Sequence, residues 1–397
     1  MERVGRLGRD AQFQWHALAR LFDGRGDERH PVRQGVPVIA EQPSALALAQ
    51  AMASAASGFR IGPGTTPPAH GTVPMFETLT SGSTGAPRRI LRSQASWTTS
   101  FAVNARLFGI GPVARVAILG RLVHSLSLYG AVEGMHLGST VHLVDDLRPD
   151  RQRKALAERA ISHLYATPAQ LRLMIEAGGA ICPELRVLLV GGSKLDSALR
   201  AEVQAMAPGA AVHEFYGAAE TSFVTLADAQ TPDGSVGRAY PGVEIAVDEG
   251  AIWVRSPYVF ADYAADPGGA VWRDGWLSVG EVGRIANGYL YLSGRAGRMV
   301  TVADQNVFPE EIEAFMQTLG GVRRAAVLPV PDALRGVVLV AVVQGDRGQE
   351  ARIMSALRAA LGPLKAPKAL VWREDWPIVA SGKTDFAALK SGLQWPI

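Results

Sequence analysis

The sequence predicts an α/β protein, with a large N-terminal domain of mixed sheets and helices followed by a small α+β domain. Three observations lead there. Short apolar runs alternate with helical stretches through the middle of the chain, the texture changes near residue 296, and 397 residues exceed one domain of ~150. Hydrophobic residues make up 48% and charged residues 19%, which provides a core and excludes disorder over most of the length. Forty Lys plus Arg against 37 Asp plus Glu leave a formal charge of +3, and no dense basic run occurs, so nucleic acid is not an expected partner. The single cysteine, Cys182, excludes an internal disulfide framework and a cysteine-based zinc cluster. The first twenty residues carry charges throughout, without the apolar core of a signal peptide. The longest aliphatic run, 337–343, falls far short of the ~20 residues of a membrane span, so a cytoplasmic protein is expected.

The elements follow in order. Residues 45–56 (ALALAQAMASAA) predict an Ala-rich helix, and 58–74 a Gly/Pro/Thr loop. Buried strands are expected at 116–119, 140–144, 163–166, 187–190 and 212–215, with helices over 151–160 and 197–206. That alternation argues for a substantially parallel sheet. Beyond residue 296, Pro309 followed by Glu310 and Glu311 opens a helix, where proline and carboxylates suit the first turn. Strands at 325–330 and 337–343, a helix over 350–361 and a strand at 369–372 complete the small domain. The expected division is 1–295 and 296–397, without internal repeats.

The most informative stretch is Thr80-Ser81-Gly82-Ser83-Thr84-Gly85-Ala86-Pro87-Arg88-Arg89. Hydroxyls and glycines followed by a cation suit a loop that wraps phosphate oxygens. The glycines let backbone N–H groups approach, the hydroxyls donate, and Arg88 meets terminal charge. No Gly-Lys-Ser/Thr closes it, so it is not a Walker loop, and it lacks the Gly-x-Ser-x-Gly of a nucleophile elbow.

This loop resembles the phosphate loop of the adenylate-forming superfamily, which includes acyl-CoA synthetases, adenylation domains of peptide synthetases and luciferases. Further segments match in the family's order. LVHSLSLYGAVEGMHLG contains His124, VGGS contains Gly191, Gly192 and Ser193, and FYGAAE spans Tyr216, Gly217, Ala218, Ala219 and Glu220. GRAYPG (237–242), DGWLSVGEVGRI (274–285), GYLYLSGRAGRM (288–299), NVFPEEIE (306–313) and a C-terminal segment ending in SGKTD with Lys383 follow.

The resemblance implies a two-step reaction. A carboxylate attacks the α-phosphorus of ATP and expels pyrophosphate, and a thiol then displaces AMP. Its catalysis would be largely electrostatic. The resemblance gives Lys383 the task of reaching the carboxylate and α-phosphate from a mobile small domain; the plainer alternative is an exposed surface lysine. It gives Glu220 the Mg2+ ion, against a solvated glutamate, and Tyr216 the adenine face, with Gly191 and Gly192 leaving room opposite. Ser193 and Gly217 belong to the same adenine enclosure. Glu281 and Arg295 would hold the ribose, or form a structural ion pair. His124 and Ala218 would line the acid pocket, His124 having the alternative of a core histidine. Cys182, beside Pro183 and without a basic neighbour, reads as inert.

Several positions depart from the family pattern. Arg88 replaces the usual lysine and keeps the charge. Ala219 replaces a threonine, Glu281 an aspartate and Val279 a threonine. Gly297 stands at the hinge, where glycine permits rotation. Ala303-Asp304 replaces a Gly-Gly that shapes the pantetheine tunnel. The phosphate loop also begins early, near residue 80, which leads to the expectation of a trimmed scaffold and favours a carrier-protein arm as rival acceptor. The combined reading is an ATP-dependent ligase of a small-molecule carboxylic acid with an apolar body. ATP and Mg2+ are its cofactors, and the acyl group passes to coenzyme A or to the phosphopantetheine of an acyl carrier protein. The substitutions leave open a catalytically weak nucleotide- or acyl-adenylate-binding protein of the same fold.

Overall fold

The computed structural model describes residues 12–33, 35–69, 73–80, 88–265, 268–302, 305–332, 336–379 and 383–393. Its centre is a nine-stranded sheet. Six strands run parallel, in the spatial order Ala211–Ala218, Val187–Val190, His163–Ala166, Arg115–Ile118, Thr140–Leu143 and Arg20–Phe22. Antiparallel strands flank them at both edges. The alternation read from the sequence is thus a parallel sheet covered on both faces, as such sheets must be. Helices Ala95–Phe108 and Ser125–Leu137 contribute Trp97, Phe101 and Val132 to one core. Helices Pro149–Glu158, Pro168–Glu176 and Ser197–Met206 contribute Leu156, Leu171 and Leu199 to the other. Val116 and Ile118 face the first core while Ala117 and Leu119 face the second, the period of two that a strand imposes. The helix Ser125–Leu137 lies unusually near the sheet. A Cβ on Gly130 would come within 2.6 Å of the Tyr165 ring, and one on Gly134 within 2.6 Å of Val141.

One expectation needs correction. Residues 58–74 do not form loop throughout, because Phe59–Ile61 is a strand, fully buried and parallel to Val38–Ile39 and Met75–Leu79. Pairing to two neighbours overrides the local Gly/Pro signal. Met75–Leu79 continues antiparallel to Arg89–Ser93, so the phosphate loop joins the two strands of a hairpin. A six-stranded sheet drawn from residues 244–295 follows.

The small α+β unit has its own core around Val327, Ala341, Ile312, Met316 and Leu357. Strands Val322–Asp332 and Gly336–Gly345 pair antiparallel, and Leu370–Trp372 adds in parallel. Helix Pro309–Gln317 begins at the predicted proline; helix Glu350–Lys365 kinks at Gly362, ahead of Pro363. Among the described residues, no helix is long and apolar enough to cross a membrane.

Candidate active site

Ligands of open α/β sheets bind beyond the carboxyl ends of the parallel strands. Three of the candidate segments leave the sheet there, together with Thr167. His124 follows Arg115–Ile118, Thr167 follows His163–Ala166, Gly191–Ser193 follows Val187–Val190, and Ala219–Glu220 follows Ala211–Ala218. The hairpin carrying the phosphate loop meets this edge directly: Leu79 bridges His124, and the Leu79 N–H donates to Val123 O at 3.0 Å.

Ser81, Gly82, Ser83, Thr84 and Gly85 lie outside the described residues; the neck of their loop does not. The Thr80 N–H donates to Arg88 O at 2.9 Å, and the Arg88 N–H donates to Thr80 Oγ1 at 2.9 Å. The two arginines that follow the loop then part ways. Arg89 forks onto the buried carboxylate of Glu77 at 2.7 and 2.9 Å, and Arg60 reaches the same carboxylate at 3.6 Å. Arg88 is exposed. Arg89 is therefore committed to holding the hairpin, which leaves Arg88 as the cation at the loop.

Glu220 sits on a turn held from several sides. Tyr263 donates its hydroxyl to Glu220 Oε1 at 3.0 Å, and the Phe260 N–H donates to Glu220 O at 2.7 Å. Beneath the turn lies Arg92, fully buried. Its Nη1 donates to Ala219 O at 2.5 Å and its Nη2 to Ser222 Oγ at 2.8 Å, with a further bond to Tyr258 O. Trp97 Nε1 also donates to Ser222 Oγ, at 3.2 Å. Burial draws the Arg92 guanidinium down to about 9, with the Glu220 charge opposing. Burial, then the neighbouring Glu220, push the Tyr263 phenol up.

Glu281 and Arg295 are cross-strand partners, with Arg295 Nε 3.5 Å from Glu281 Oε1. The two side chains form an ion pair across the strands. Glu281 Oε2 remains buried without a hydrogen bond, and burial raises the carboxyl despite Arg295. Lys383 joins this group from the small unit. Burial lowers it to about 8 and Arg295 adds to that, while Glu281 and Glu220 pull the other way. The field of Lys383 also reaches His124, which burial and then Arg121 hold below its ordinary value. Both ring nitrogens of His124 are buried without a partner. Lys383, Glu220, Glu281, Arg295 and His124 thus share one electrostatic neighbourhood.

The adenine pieces differ in one respect from expectation. The space beside Gly191 does not open opposite Tyr216, because a Cβ there would lie 2.2 Å from the Phe215 ring. Gly191 makes room for Phe215. Gly192 has φ +91, near Thr167, and Ser193 is exposed. Gly217 is required by a bulge in which its Cβ would meet Ser222 O at 1.8 Å. Tyr216 and Ala218 are half-buried, Tyr216 against the first core. At the hinge, a Cβ on Gly297 would meet nothing within 4 Å, so this conformation does not demand glycine. Its neighbour Arg298 joins Glu310 at 3.3 Å and Glu313 at 2.7 Å. Ala303-Asp304 lies outside the described residues. Cys182 is buried, as expected of an inert thiol.

Arg92 and Tyr263 escaped the sequence reading. Arg92 had a usable signal: in Arg89–Ser93 it shares the inward face with Ile90, two residues away.

Strand-end loops that gather the hairpin of the Thr80–Arg88 neck, a carboxylate turn and the Glu281–Arg295 pair, joined by a lysine from a second unit, have the make-up of an adenylate-forming enzyme. The chain belongs to the AMP-binding enzymes. The description "AMP-binding enzyme" matches residues 21–264, and "AMP-binding enzyme C-terminal domain" matches 311–383. It is 32% identical over 338 residues to the uncharacterized acyl–CoA ligase YhfT of Bacillus subtilis (strain 168), covering 81% of this chain and 69% of that one. In fold it resembles ATP-bound MatB from Rhodopseudomonas palustris, with TM-score 0.78 and 20% identity over 94% of this chain and 95% of the other. It also resembles o-succinylbenzoate CoA synthetase (MenE) from Bacillus subtilis in complex with its acyl-adenylate intermediate OSB-AMP. That TM-score is 0.70, at 23% identity over 81% and 70% of the two chains.

Proposed function

We propose that this enzyme activates a small-molecule carboxylic acid with ATP and transfers the acyl group to a thiol, either coenzyme A or the phosphopantetheine of a carrier protein. The observation that carries the reading is the convergence of Lys383 with Glu220, the Glu281–Arg295 pair and His124. The acid carboxylate attacks the α-phosphorus, pyrophosphate leaves, and the thiolate then displaces AMP at the acyl carbon. The first step brings a carboxylate against a triphosphate, so its barrier is dominated by like-charge repulsion. A partly buried ammonium at Lys383 offsets that repulsion more effectively than a fully solvated one. Arg88 and the hydroxyls of the phosphate loop hold the outgoing pyrophosphate. Arg295 and Glu281 take the ribose hydroxyls; the unpartnered Glu281 Oε2 provides an acceptor for one of them. Tyr216 with Gly217, Gly192 and Ser193 borders the adenine, and His124 with Ala218 borders the acid.

Glu220 fits a magnesium ion. It is a hard oxygen donor whose partner is the neutral Tyr263 hydroxyl, and among the described residues no ion pair consumes its charge. Among the described residues no cluster of three ligating side chains exists, so ATP phosphates would complete the coordination. Bound there, the ion neutralises phosphate charge. The division into 1–295 and 296–397, with rotation near Gly297, belongs to the same proposal. YhfT, described as an acyl–CoA ligase, supports the thiol as acceptor.

Acid-dependent ATP–pyrophosphate exchange over a panel of acids tests the first step, and thioester formation with coenzyme A against a phosphopantetheinylated carrier protein tests the second. Exchange with at least one acid is expected. ATP binding without exchange for any acid would overturn the ligase in favour of the weak-binding alternative.

A further inference from the structure

Behind the acid-side candidates His124 and Ala218 lies a hydrogen-bonded aromatic cluster. The acid's carboxylate must meet Lys383, and His124 lies in the field of Lys383 at the start of the helix Ser125–Leu137. On the strand that carries Ala218, the half-buried Phe215 lies across Gly191, and Phe223 is the cross-strand partner of Gly217. Phe223 stands behind it, centroids 4.5 Å apart, and behind Phe223 come Tyr129 at 5.2 Å and Tyr240 at 4.9 Å. Tyr165 fits beneath Gly130 and lies 6.2 Å from Tyr129. These rings behind Phe215 are at most 4% exposed.

Rings alone could swing aside for a ligand, but these are tied. Asn104 Nδ2 donates to Glu133 Oε1 at 2.9 Å and to Tyr129 OH at 3.1 Å. Tyr240 OH donates to Asn104 Oδ1 at 2.6 Å, Tyr165 OH donates to Glu133, and Ser100 Oγ lies 2.7 Å from Tyr129 OH. Glu133, Asn104 and Ser100 are completely buried. Burial lifts the Glu133 carboxyl to about 8, so the network is largely neutral at pH 7. A satisfied buried network is costly to open, because each displaced partner leaves polar atoms unpaired.

We propose that the Phe215–Phe223 pair, backed by the Tyr129–Glu133–Asn104–Tyr165–Tyr240 network, is a length stop. It restricts the activated acid to a short monocarboxylate, of the size of acetate to butyrate. The proposal rests on the adenylation reading and narrows its substrate class. An aliphatic acid with a long chain would have to displace Phe223 and break the network behind it.

Non-hydrolysable acyl-sulfamoyl adenosines carrying acetyl, butyryl, octanoyl and lauroyl groups test this on the full-length protein without needing turnover. Calorimetric affinities should be similar for acetyl and butyryl and weaker by more than about tenfold for octanoyl and lauroyl. Phe223→Ala should remove most of that discrimination by admitting the octanoyl chain. Phe215→Leu, at a half-buried position, provides a second and milder opening should Phe223→Ala fail to fold. Long chains bound as tightly as short ones by the unaltered protein would overturn the stop. Failure to bind an adenylate of any length would instead overturn the adenylation reading, and the stop with it. Acid-dependent pyrophosphate exchange with free acetate, butyrate, octanoate and laurate should give the same ranking.

Discussion

The two sides of the site are built in opposite ways. Glu220 sits on a turn that the large domain grips through a fully buried guanidinium, an indole N–H, a phenol and a backbone N–H. Lys383 stands on a short bridge between Ile378 and Thr384, with Val379 N–H donating to Lys383 O at 2.9 Å. Burial and Arg295 lower its pKa, while Glu281 and Glu220 oppose them. The difference teaches how labour is divided. On the proposed function, groups that stand beside the nucleotide are locked into the sheet's edge, and the cation is carried by a separate unit.

If that division holds, removing the arriving cation should damage chemistry and spare binding. Lys383→Ala should lower pyrophosphate exchange by roughly 10²–10³-fold, the magnitude for loss of one preorganised charge donor, with ATP affinity by calorimetry little changed. The fixed side should fail differently. Arg92→Met leaves the Ala219 and Tyr258 carbonyls unpaired in the core, and about 2–3 kcal/mol of stability should be lost together with magnesium affinity. Arg92→Lys should not restore them, since one ammonium does not reproduce the fork. Thermal unfolding and the magnesium dependence of exchange read both effects.

The two sides should also separate by pH. Lys383 acts as a cation and its folded value is about 8, so kcat/KM for adenylation should fall as pH rises through about 8. Lys383→Arg should move that limb upward. Glu133 gives a stability signature instead. Its folded value of about 8 lies above its ordinary 4.5, so between those values the native state holds a proton that the unfolded chain has lost. Stability is then greatest below pH 4.5 as far as this group is concerned, and decreases as pH climbs toward 8. In thermal unfolding scans Glu133→Gln should flatten that decline. The smallest effect is expected at Gly297→Ala, where a Cβ meets open space and melting should shift by no more than about 0.5 kcal/mol equivalent.

Much of this was readable from the chain. The strands at 163–166 and 187–190 and the helix at 197–206 fall where the periodicity placed them, because burial on both faces writes continuous apolar runs. Phe59–Ile61 was not readable, since its pairing partners lie at 38–39 and 75–79 and no local rule encodes them. The six-stranded sheet of 244–295 mixes exposed and half-buried positions, which blurs a period of two. Ordered motifs named Lys383, Glu220, Glu281 and Arg295 as candidates, whereas the roles of Arg92 and Tyr263 emerged from contacts across 127 and 43 residues of sequence. At Gly191 the need for space is met by the Phe215 ring, which fills the position of its missing Cβ.

The central claim is that Lys383 and Glu220, carried by differently built units, serve one adenylation step. A double-mutant cycle on pyrophosphate exchange, with Lys383→Ala, Glu220→Gln and the pair, tests it most directly. Groups acting on one transition state should give a combined loss well short of the product of the single losses. Losses that multiply would mean that the two residues act independently, and would contradict the account.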